Sequence, residues 1–145
     1  ILEAANLDVV SAGIVATDAD LSRALALFAE HDIEFVTTLH LSYSPSLLVA
    51  DALEALGLPV LVLDTTVSPT FAPGESDYLS RNHGIHGVMD LTSVLRSRGV
   101  AYRVAAGHVT SQRFADAVRG AARPVADGIE AKRGRTSLGL WRNCA

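Results

Sequence analysis

Two histidines stand three residues apart in RNHGIHGVMD, residues 81–90, each followed by glycine and together leading into an apolar run. Imidazoles at i and i+3 share one face of a helix, so a helical segment could offer both His83 and His86 to one metal ion. A neutral imidazole also donates and accepts at once, which suits it to hydroxyl groups and to proton transfer. Gly84 between the two argues for a turn, and no cysteine or pair of glutamates lies nearby to fill a coordination shell. The plain structural reading puts His83 in a solvent-facing loop and bonds His86 to backbone at a helix start.

Other candidates are scattered. His40 and His108 each close an apolar run, TTLH and VAAGH, where a histidine is either satisfied within the structure or placed on a rim. Asp64 and Asp90 offer carboxylates for acid–base work, or a helix cap and a loop-ordering contact. Arg96 and Arg98 fall near a helix C-terminus, where cations offset the macrodipole. No G-x-G-x-x-G or G-x-x-x-x-G-K-[ST] pattern follows an apolar run, so no phosphate cradle is offered. No serine occupies a G-x-S-x-G elbow, which leaves a Ser-His-Asp hydrolase without its usual setting.

These residues need a frame to bring them together, and the apolar pattern supplies one. VVSAGIV is a β-branched run of strand length, followed by TDADLSRALALFAEHD, a helix that Thr17 or Asp18 caps and that aligns Leu21, Ala24, Leu25 and Phe28. IEFVTTLHL is a second strand; SPSLLVADALEALG is a helix with Ser44 as cap, Pro45 in its first turn and Gly57 as its stop. LPVLVLD, apolar on both faces, is an interior strand. A long loop over residues 65–82 leads to the helix IHGVMDLTSVLRSRG and the strand VAYRVAAGH. A last helix from Thr110 meets Pro124, which should kink or break it, and TSLGLW can form one more strand.

Alternating strands and helices of these lengths imply an α/β fold: a three-layer, Rossmann-like (flavodoxin-like) parallel sheet with helices on both faces. Ligands on such sheets bind beyond the carboxyl ends of the strands. His40, Asp64 and His108 each close a strand, and the loop carrying His83 and His86 leaves from one. All should share one rim. Residues 1–130 read as one α/β domain that enters in the last turn of a helix, ILEAA, and 131–145 as the start of a following domain or an unstructured tail.

Composition narrows the function. The chain has 145 residues and a net charge of −4, which gives nucleic acid no general reason to bind. No apolar run reaches the roughly 18–20 residues that span a bilayer. The opening ILEAANLD has neither the basic start nor the apolar stretch of a secretory signal. The single cysteine, Cys144, suits a reducing, cytoplasmic setting. An apolar fraction of 49% points to buried strands, or to surface that meets another domain or subunit.

Four segments in order, TLHLSYSP, LPVLVLDTT, NHGIHG and YRVAAGH, resemble the N-terminal region of the L-arabinose and L-fucose isomerase family, over roughly residues 7–125. His40 to Pro45 match its histidine-containing strand end followed by a hydroxyl residue and Ser-Pro. Asn82, His86 and Gly87 match its Asn-x-x-x-His-Gly segment; Gly107 and His108 match its Gly-His strand end. The resemblance implies the N-terminal substrate-binding and oligomerisation domain of an aldose–ketose isomerase that works through an enediol on Mn²⁺. It makes His86, Asn82 and His40 the substrate-binding residues and His83 a neighbour. The metal ligands, two glutamates and two histidines, belong to later domains, so this chain holds neither catalytic nor metal-ligating residues and should be inactive alone. Its partners would be a sugar, the remaining domains and further copies of itself. A non-catalytic sugar-binding or interaction domain on the same sheet is the alternative.

Overall fold

The computed structural model of the protein describes residues 7–70, 77–121 and 136–143, with only the backbone described for Tyr78 and for 136–143. In chain order the elements are β1 (Leu7–Val15), α1 (Asp18–Ala29), β2 (Phe35–His40), α2 (Leu47–Leu56), β3 (Val60–Thr66), α3 (Tyr78–Arg81), α4 (Gly84–Ser97) and β4 (Tyr102–His108). A helix α5, described over residues 112–121, and β5 (Thr136–Asn143) complete them. The five strands form one parallel sheet in the order β1-β5-β2-β3-β4. None of the described helices is long and apolar enough to cross a membrane.

β2 and β3 are interior strands with both faces buried; the VLVL run of β3 is apolar on each face, and β2 also buries Thr37 and Thr38. Val36, Val60 and Val62 join a core cluster with Phe28 of α1, Leu53 of α2 and Leu91 and Leu95 of α4. Their neighbours Phe35, Leu61 and Leu63 join a second cluster with Phe114 and Val118 of α5. Side chains alternate across a strand, so the two clusters lie on opposite faces of the sheet. The chain steps from β2 through β3 to β4 over the first face and returns from β4 to β5 with α5 on the second. Reversing both direction and face preserves the hand of every crossover.

Local chemistry explains the helix ends. Thr17 caps α1: its hydroxyl accepts from the Asp20 amide at 3.2 Å, and the Asp20 carboxylate accepts from the Thr17 amide at 3.0 Å. The Thr17 hydroxyl, then Arg23, hold the Asp20 carboxyl well below the usual carboxylate range. The expected cap of α2 needs correction. Its N-cap is Ser46, not Ser44, and Ser46 makes no side-chain cap of its own. Asp90 of α4 takes over, accepting from the Ser46 amide at 3.2 Å and its hydroxyl at 2.7 Å. A carboxylate at a helix N-terminus also faces the favourable end of the macrodipole.

The boundary expected at 130/131 is not an edge of the sheet. Residues 136–143 pair on both sides, Val9 with Leu138 and Thr37 with Leu140, so β5 lies inside the sheet rather than opening a new domain or trailing as a tail. β5 runs unbroken for eight residues, longer than β2, β3 or β4, and non-local pairing with β1 and β2 fixes its place in the sheet. The turn expected at Gly84 is also replaced by helix, since α4 begins there. The kink expected at Pro124 lies outside the described residues.

Candidate functional site

The carboxyl ends of β2, β3 and β4 bring the candidate residues together. His40 closes β2, Asp64 stands two residues before the end of β3, and His108 closes β4 in register with Thr66. Strand alternation turns all three toward the face that carries α4. The chain leaves β3 toward α4 on one face and leaves β4 toward α5 on the other. Divergence of this kind opens a crevice between adjacent strands, the usual ligand position in a parallel α/β sheet.

His40 is in the core rather than in that crevice. It is 2% exposed, and neither ring nitrogen has a hydrogen-bond partner among the described residues. The first turn of α4 lies on it. A Cβ on Gly84 would come within 2.4 Å of the His40 carbonyl oxygen, and one on Gly87 within 2.6 Å of its Nδ1. Only residues without side chains permit that approach. The spacing of the two glycines in HGIHG therefore seats α4 against β2. Burial pushes the His40 imidazole down to about 4, against the pull of the Asp90 charge, so the ring is neutral around pH 7.

Asn82 is buried at 8% exposure, and its Oδ1 accepts from the Val67 amide at 3.0 Å. It ties the segment leaving β3 to the start of α4. Asp64 is half-buried, and desolvation raises its carboxyl pKa. His108 is half-exposed. The Thr110 amide lies 3.3 Å from its Nδ1, and since an amide can only donate, Nδ1 is the acceptor and the neutral ring carries its proton on Nε2. Asp90 is half-buried and bonded to Ser46 at the start of α2.

His83 and His86 point outward. Both are exposed, their ring centroids are 4.9 Å apart, and Tyr43 stands 6.0 Å from the His83 ring. One decapeptide thus has two faces: Asn82, Gly84 and Gly87 inward, His83 and His86 outward. Sequence reasoning missed the packing role of the glycines, although their i, i+3 spacing signals it, and missed Tyr43, whose place beside His83 comes from a non-local contact.

Large apolar side chains crowd the same rim. Ten are exposed among the described residues, and all but Val104 belong to strand carboxyl ends or to the connections that follow them. Leu41, Tyr43 and Leu47 follow β2, Val67 follows β3, and Ile85 and Met89 rise from the first turns of α4. No group of three or more His, Cys, Asp or Glu side chains that could hold a metal occurs among the described residues. Comparison with protein-family models finds no match, and no curated protein matches the chain.

Proposed function

We propose that this chain is the N-terminal substrate-binding and oligomerisation domain of a cytoplasmic, metal-dependent aldose–ketose isomerase of the L-arabinose and L-fucose type. On this reading the sheet is a three-layer, flavodoxin-like one. The strand order supports it: the doubly wound order 2-1-3-4-5 is reproduced if the chain's last strand occupies the slot of the first. His86 contacts the sugar, donating to one hydroxyl and accepting from another. Asn82 and His40 act behind it, ordering the first turn of α4 from which His86 projects. A bound Mn²⁺-type ion would polarise the substrate carbonyl and the enediolate, with its ligands in other domains.

The observation that carries the reading is the coincidence of exposed apolar side chains and exposed imidazoles on one rim. Exposed apolar side chains gathered toward one end of a sheet suit a place that other protein covers, and the imidazoles beside them would then line an enclosed pocket. Light scattering on the 145-residue chain across a dilution series tests this. Self-association is expected, and Leu47→Lys with Met89→Lys should abolish it without altering the circular dichroism. L-Arabinose or L-fucose should shift the His86 ring resonances, yet the chain alone with Mn²⁺ should produce no ketose. A monomer at every concentration with no sugar-induced shift, or turnover by the chain alone, overturns the proposal.

A further inference from the structure

We infer that His83 and His86 form an open chelate for a borderline divalent transition ion, in the order Cu²⁺, Ni²⁺, Zn²⁺, at the outer face of the first turn of α4. The ring separation carries the inference. Two imidazoles on one ion, with metal–nitrogen distances of about 2.0–2.1 Å and bond angles of about 90–110°, keep their ring centres about 4.5–5.2 Å apart. His83 and His86 stand at 4.9 Å with the rings tilted by 58°.

Both rings are exposed, and neither has a hydrogen-bond partner among the described residues, so no existing bond must break for a metal to enter. Exposed side chains also change rotamer on a fast timescale, which lets the two nitrogens converge on one ion. The backbone beneath them is fixed, because Gly84 and Gly87 are held against His40, and Asn82, the residue before His83, is anchored to the Val67 amide. A fixed spacing gives the second imidazole a high effective concentration once the first has bound. The positive end of the α4 dipole opposes any cation there. That cost selects ions with strong nitrogen affinity and rejects Mn²⁺, a hard ion at the bottom of the Irving–Williams order. The site uses none of the ligands that the proposed isomerase would need for its own metal, and it stands whether or not that reading holds.

The test is a Ni²⁺ and Cu²⁺ titration of the full chain carrying Cys144→Ser, without sugar, read by calorimetry and by paramagnetic broadening of amide resonances. One equivalent of Ni²⁺ is expected, with broadening centred on residues 82–87. His83→Ala and His86→Ala should each weaken binding by about tenfold or more, the contribution of a chelating second ligand. His31→Ala and His108→Ala should leave it unchanged, and Mn²⁺ should not compete. His83→Gln and His86→Gln provide the same test if an alanine variant fails to fold. Broadening centred elsewhere, or unchanged affinity in either single variant, overturns the inference.

Discussion

The two ends of the sheet are finished in opposite ways. At the amino end, α2 and α4 close into turns around a shallow hollow lined by Gly57, Leu58, Pro59, Gly99, Val100 and Ala101. Arg98 spans it, bonding Asp51 and, at 3.0 Å, Glu54. Charged side chains shield that end. At the carboxyl end, polar side chains are drawn inward, with His40, Asn82 and Ser46 buried, while Leu47, Leu79 and Met89 remain more than 60% exposed. The amino end covers its apolar surface with its own charged side chains, whereas the carboxyl end leaves large apolar side chains open to solvent.

The comparison can be broken most severely at Gly84. A methyl group there would meet backbone, the His40 carbonyl oxygen, so α4 would have to lift off β2. Gly84→Ala should lower stability by more than about 3 kcal/mol, at or beyond the upper range for overpacking, and broaden or abolish the cooperative urea transition. A transition like that of wild type would mean that the seam is soft.

Gly87→Ala comes next. Its methyl group would meet a side-chain atom, His40 Nδ1, which can be removed. A loss of about 1–3 kcal/mol is expected. Combining it with His40→Ala should recover part of that loss as a coupling energy in a double-mutant cycle. Additive losses in the urea midpoints would show that the two residues do not press on each other.

The pH dependence sharpens the same contrast. His40 titrates near 4 when folded against the ordinary 6.5. The unfolded chain therefore takes up a proton below pH 6.5 that the folded chain refuses until about pH 4. Stability from this residue is complete above 6.5 and declines as pH falls through that window, by roughly 2 kcal/mol between pH 7 and 5. Asp64 acts in the opposite sense, because a carboxyl with a raised pKa favours the folded state on protonation. His40→Leu should remove most of the decline. An unchanged slope in chemical denaturation at pH 7, 6 and 5 would assign the acid sensitivity elsewhere.

These residues also mark what the sequence could and could not disclose. β2 and β3 are legible because a run such as VLVL buries both faces in any parallel arrangement, and β4 because Gly107–His108 ends an alternating run. The convergence of His40, Asp64, His83, His86 and His108 on one rim follows from parallel topology and was readable in advance. What escaped depended on partners distant in the chain. Asp90 caps α2 from 44 residues away, and nothing local to SPSLL announces it. β5 takes its place between β1 and β2 by pairing alone. His40 reads as a rim residue by position, yet it is buried because two glycines bring a helix down upon it.

The smallest effect belongs to the amino end. Arg98 bonds Asp51 and Glu54 of α2 from the C-cap of α4, and the Asp51 hydrogen bond, the largest cause, raises the guanidinium pKa further. The link joins two helices, and taken alone its loss would loosen that end of the layer. Exposure decides otherwise: the Asp51 and Glu54 side chains are 82% and 51% exposed, and ion pairs facing water are weakened by screening and by the entropy of holding long side chains. The same two helices are already joined beneath the charges by Leu53, Leu91 and Leu95 in the core. Arg98→Gln should therefore lower the melting temperature only slightly at low ionic strength and not measurably in molar salt. A large, salt-independent loss would show that Arg98 supports the turn at Gly99 through its packing, and that the amino end is less self-sufficient than its charges suggest.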